Sequence, residues 1–90
     1  MLPIEAIPRL GVGVKFRFDQ VRNAWALLAP ERLFQPDEVA VEILKLVDGQ
    51  RSVAMIVEVL VAQFDAPHAV VLADVSALLQ DLLDKRVLRV

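Results

Sequence analysis

The spacing of hydrophobic positions changes character along this chain. Residues 1–13 hold Pro3, Pro8, Gly11 and Gly13 and no sustained period, which predicts an extended or frayed arm ahead of a domain at 14–90. Residues 14–19, VKFRFD, then alternate apolar and polar side chains, the mark of a half-buried strand. Residues 20–23 turn the chain into a second strand at 24–29, apolar on both faces, with Trp25 and Leu27 on one side and Ala26 and Leu28 on the other. Pro30 and Glu31 turn it again into a short third strand at 32–35. The pattern predicts an antiparallel meander that packs one face on helices, keeps Trp25 partly available on the other, and leaves at least one edge unpaired.

The period then lengthens. Val39, Ala40, Ile43, Leu44 and Val47 recur at helical spacing, with Glu38, Glu42 and Lys45 opposite them. Pro36 suits the approach to a first turn, Asp37 and Glu38 suit the positive end of the helix dipole, and Asp48-Gly49 is expected to end the helix with Gly49 at the left-handed C′ position. Ser52 is a good N-cap for a second helix carrying Val53, Ile56, Val57, Leu60, Val61 and Phe64. Its β-branched content keeps a strand in view, but residues 52–64 exceed a typical strand. Only Glu58 and Gln63 interrupt it, so it is expected to be deeply buried or to touch a partner. After Asp65-Ala66-Pro67, a third helix at about 68–86 carries Val71, Leu72, Val75, Leu78, Leu79 and Leu82 on one face, and 87–90 can dock as a last extended piece. The predicted fold is a small α+β, winged-helix-like domain: a three-stranded antiparallel meander followed by three helices.

Composition narrows the function by exclusion. A 57% hydrophobic chain of 90 residues supports a core without cross-links, and it has no cysteine, which removes disulfides and thiolate metal sites and fits a reducing cytoplasm. No apolar run reaches the roughly 18 residues of a membrane span, and the N-terminus lacks a signal-peptide order, so a cytoplasmic domain without membrane contact is expected. Ten basic residues against twelve acidic give a net charge of -2, with the bases scattered rather than striped. The last helix exposes Asp74, Gln80, Asp81 and Asp84 where a DNA reader needs cations, which leaves a DNA-binding winged helix as the third-ranked alternative.

Catalytic chemistry is sparse. Ser52 is explained by capping, Ser76 sits in mid-helix without a basic partner in sequence reach, and His68 reads as a surface residue at a helix start. The pairs Glu38/Glu42 and Asp81/Asp84 read as solvated helix faces, and Gly11, Gly13 and Gly49 make no phosphate loop. No enzyme, metal or cofactor is expected. An open strand edge beside a helix can instead accept an extended peptide, with backbone bonds supplying affinity and apolar pockets specificity.

Several segments taken in order resemble the PqqD family of pyrroloquinoline quinone (PQQ) biosynthesis proteins: KFRFD at 15–19, LLAPER at 27–32, AVEIL with the later DG between 40 and 49, Ser52-Val53 with Ile56-Val57, and DVSALL at 74–79. The chain departs from that pattern at Val47, where members often have Cys, and at Arg86-Val87, where a glycine usually follows the last helix. The resemblance implies a peptide-recognition domain that binds the precursor peptide PqqA and presents it to the radical S-adenosylmethionine enzyme PqqE, which cross-links a Glu and a Tyr of the peptide. It implies that the leader lies as an added strand between the third strand and the third helix. On this chain those are Leu33, Phe34 and Gln35 at the edge and Val71, Asp74, Val75 and Leu78 on the helix wall. A domain of the same fold serving another modified peptide is the alternative. A weak homodimer is also expected, from Trp25 and Leu27 on one thin sheet face, the apolar second helix, and an arm that two subunits could exchange.

Overall fold

The computed structural model describes residues 2–90. Its elements are β1 (Arg9–Leu10), β2 (Lys15–Asp19), β3 (Ala24–Ala29), β4 (Arg32–Phe34), α1 (Glu38–Leu44), α2 (Val53–Phe64), α3 (His68–Asp84) and β5 (Leu88–Arg89). β2, β3 and β4 form the expected antiparallel meander in that order, and β1 pairs with β5 in a second, two-stranded sheet.

Local chemistry sets the turns. Asp19 Oδ1 accepts the backbone N–H groups of Val21 and Arg22 at 3.0 and 3.3 Å, and Asn23 takes a left-handed φ of 55°, which asparagine tolerates well. The register Phe16↔Leu27, Phe18↔Trp25 and Leu27↔Phe34 puts the aromatic side chains and Leu27 on one face. Leu27 is only 1% exposed there, so it belongs to the core and not to an available surface.

The helices are capped from three sources. Asp37 accepts the Ala40 N–H at 2.8 Å and starts α1. The sequence placed the end of α1 at Gly49, but regular helix stops at Leu44. Leu46 and Val47 donate to the carbonyls three residues back, at 3.0 and 3.1 Å, and this tightening turns Val47 into the core. Asp48 then binds the N–H groups of Gln50 and Arg51 at 2.9 and 3.0 Å and the Arg51 guanidinium at 2.8 Å. Those backbone bonds hold its carboxyl below the ordinary 3.8. Gly49 does take a left-handed φ of 76°, but within this connection and not as the helix C′.

At the start of α2, Ser52 Oγ accepts the Met55 N–H at 3.2 Å, as expected. The N–H groups of Val53 and Ala54 go to the carbonyls of Ala6 and Ile4, both at 2.9 Å. The N-terminal segment thus supplies acceptors that a helix start cannot supply for itself. Residues 2–13, expected as an extended or frayed arm, are docked in this structure. Leu2 and Pro8 are buried, β1 pairs with β5, and Gly11 donates to Val87 O at 2.8 Å. A Cβ on Gly11 would come within 3.0 Å of that carbonyl, so the close approach uses the missing side chain. The segment shows no period because, apart from the two-residue β1, irregular chain fills this space; Met1 lies outside the described residues.

The core lies between the helices and one sheet face, with Ile43, Val53, Ile56, Val57, Val75, Leu79 and Leu27 almost wholly enclosed. Along α2, only Val53, Ile56, Val57 and Leu60 are buried; Met55 and Phe64 stay exposed. α3 ends with Arg86 donating to Leu83 O and Val87 to Leu82 O, both at 2.9 Å, and with Arg86 at φ 63°. That is a Schellman closure with arginine at C′, and buried Val87 and Leu82 supply its apolar clasp.

Candidate functional site

β4 is an edge strand, so its outer row of backbone donors and acceptors is unpaired by the sheet. Phe34 faces the helices, half-buried, with the Arg32 guanidinium and the Lys85 ammonium of the α3 C-cap each 5.8 Å from its ring centroid. The far end of α3 therefore stands beside this edge. Leu33, paired with Leu28 across the sheet, points the other way and helps line a shallow depression of about 500 Å³ with Arg17 and Ala26. Its backbone is at the edge, but its side chain is not on the α3 side. Gln35 is exposed just past the strand.

On the helix wall, Val71, Asp74 and Val75 come together along a larger groove of about 880 Å³. Val75 is fully enclosed and Val71 nearly so, so both serve chiefly as floor; Asp74 is exposed and Leu78 is half-buried one turn further on. None of Leu33, Phe34, Gln35 or Leu78 lines that groove. The opposite wall comes instead from the start of α1 (Glu38, Val39), from Trp25 at the beginning of β3, and from Phe64 at the end of α2. Sequence reasoning did not assign these four residues to the site. It read Val39 and Phe64 as core because they fall on apolar helical stripes, yet each marks the border of its stripe.

The aromatic pocket beside the groove is tightly organised. Trp25 stacks on Phe16 with ring centroids 4.7 Å apart and meets Phe18 edge-on at 5.7 Å. Lys45 lies over the Trp25 ring at 5.4 Å and pairs with Glu42 at 3.0 Å. Trp25 is thus partly available, as expected, but on the helix-facing side of the sheet. Among the described residues there is no group of His, Cys, Asp or Glu able to hold a metal, and no helix long and apolar enough to cross a membrane. His68 opens α3 and is exposed; Ser76 is half-buried in mid-helix.

An unpaired strand edge, a neighbouring helix and an apolar groove define a small α+β domain suited to binding by contact. Comparison with known proteins gives that class a family. The family model Coenzyme PQQ synthesis protein D (PqqD) matches residues 24–88, and the chain belongs to this family. The chain is 53% identical over 78 residues to the "PqqA binding protein" of Rhodopseudomonas palustris (strain HaA2), covering 87% of this chain and 76% of that one. It is 50% identical over 82 residues to the bifunctional coenzyme PQQ synthesis protein C/D of Methylorubrum extorquens, covering 91% of this chain and 22% of that protein. The fold matches the solution NMR structure of the PqqD truncation of Methylobacterium extorquens PqqCD, described as a functional, stand-alone recognition element for ribosomally synthesised and post-translationally modified peptides. The TM-score is 0.84 at 46% identity, covering 100% of this chain and 96% of that one. It also matches the crystal structure of PqqD from Xanthomonas campestris, with a TM-score of 0.64 at 37% identity and 100% of both chains covered.

Proposed function

We propose that this chain is a non-catalytic peptide-binding protein of PQQ biosynthesis: it binds the precursor peptide PqqA and presents it to the radical S-adenosylmethionine enzyme PqqE, in the cytoplasm. The observation that carries the reading is the open outer edge of β4 with α3 standing beside it. An added strand would take its affinity from those backbone groups of Leu33, Phe34 and Gln35 that face away from β3. It would take its specificity from Phe34, Asp74 and Leu78, over a floor that includes Val71 and Val75. The groove reaching to Trp25, Val39 and Phe64 extends the contact surface past the strand. Asp74, Asp81 and Asp84 along α3 oppose nucleic acid on this side.

Amide shifts measured during titration with PqqA test the placement. They are expected to cluster on residues 33–35 and on α3 from Val71 to Leu78, spreading into α1 at Glu38 and Val39. Changes confined to β2 and β3 would refute it. A weak homodimer belongs to the same proposal. Leu27 is buried and contributes nothing to it, so its support is the exposed Met55 on α2 and the exchangeable pairing of β1 with β5.

A further inference from the structure

The groove between α1, α2 and α3 has an apolar lining and an unbalanced rim. Val39, Phe64 and Val70 are 56%, 54% and 55% exposed, three large apolar side chains left to water around one concavity. Such a cluster marks an interaction site more often than an accident of surface. Of the charged groups that line the groove, Lys45 and Glu42 satisfy each other at 3.0 Å, and Glu42 also accepts from Gln63 Nε2 at 3.3 Å. That leaves Glu38 and Asp74. They come from opposite walls, α1 and α3, and neither has an ion-pair partner among the described residues.

We propose that the groove selects an extended peptide segment in which a large apolar residue is accompanied by a cationic one. The apolar side chain enters between Val39, Phe64 and Val70, and a Lys or Arg side chain close by in the peptide reaches Glu38 or Asp74. In an extended chain, side chains two residues apart share a face at about 7 Å spacing, which suits an apolar floor with carboxylates at the rim. An acidic segment meets two uncompensated carboxylates and is rejected, which is how charge supplies specificity at a modest gain in affinity. The proposal rests on the peptide-binding reading above and adds which part of a precursor the groove prefers.

Two measurements separate the two readings. The first titrates the wild-type protein with PqqA and with PqqA variants whose Lys and Arg residues are replaced by Gln, and repeats the wild-type peptide against the Glu38→Gln, Asp74→Asn double variant. The double variant is expected to bind roughly threefold to tenfold more weakly at low salt, with the difference shrinking at high salt. One cationic replacement in the peptide should reproduce that loss and add little to it in the double variant. Equal affinity of wild type and double variant overturns the charge selection while leaving peptide binding standing. The second uses short probe peptides, acetyl-Leu-Lys-Leu-Lys-amide against acetyl-Leu-Glu-Leu-Glu-amide, followed by amide shifts. The cationic probe should move Val39, Val70 and Asp74 and the anionic one should not. Should PqqA itself fail to bind, the peptide reading falls, and this second measurement still decides the groove. Equal responses to both probes, or none to either, overturn the proposal.

Discussion

Arg86 occupies the position that helices ending in a Schellman closure usually give to glycine. Its φ of 63° places an L-residue in the left-handed region, at a cost that glycine does not incur. The hydrogen bonds from Arg86 and Val87 and the burial of Val87 against Leu82 hold the turn in place regardless. Arg86→Gly is therefore expected to stabilise the fold by about 0.5–1 kcal/mol, the relieved strain being partly offset by the greater freedom of glycine in the unfolded chain. Urea denaturation of the two proteins measures it, and a lower midpoint for the variant contradicts the strain argument. This residue was half legible in the sequence. The missing glycine stood out, but only the geometry reveals that arginine takes the left-handed turn itself.

Elements with strong local signals emerged where the sequence put them. β3 at 24–29 and the Ser52 cap of α2 match their expectations, because alternation and capping chemistry act over a few residues. The end of α1 and the docking of residues 2–13 did not, because both are set by partners distant in sequence. Val47 is drawn into a core made by other elements, and the carbonyls of Ile4 and Ala6 find their donors on α2. A chain lacking residues 1–10 loses those two bonds, the burial of Leu2 and Pro8, and the partner strand of β5. Its stability is expected to fall by several kcal/mol, on the order of 1 kcal/mol for each buried hydrogen bond and 1.5–3 for a buried large apolar side chain. The same denaturation experiment checks this, and an unchanged midpoint would mean that the segment contributes no more than a loose tail.

Over the whole molecule, the fold class was legible in the sequence and the make-up of the candidate groove was not. The meander followed by three helices pointed to an unpaired strand edge beside a helix; only the family resemblance singled out α3 and, on it, Asp74. The groove's second wall was hidden, because Val39 and Phe64 look like core until the helices are placed and their stripes turn out narrower than the apolar run. With Leu27 enclosed, a second copy has limited apolar area to cover, so sedimentation should give a monomer at micromolar concentration and a dimer only near millimolar. A strictly monomeric protein at millimolar concentration refutes the dimer. A last consequence follows from β1 lying against β5, with Arg9 opposite Arg89. The path of the backbone comes close to a closed loop, and in such a loop the point of opening is a matter of gene order more than of folding. A permuted chain, with a linker from Val90 back to Leu2 that leaves residues 2–8 docked on α2 and with a new start in the exposed turn at 20–23, would follow the same course through space.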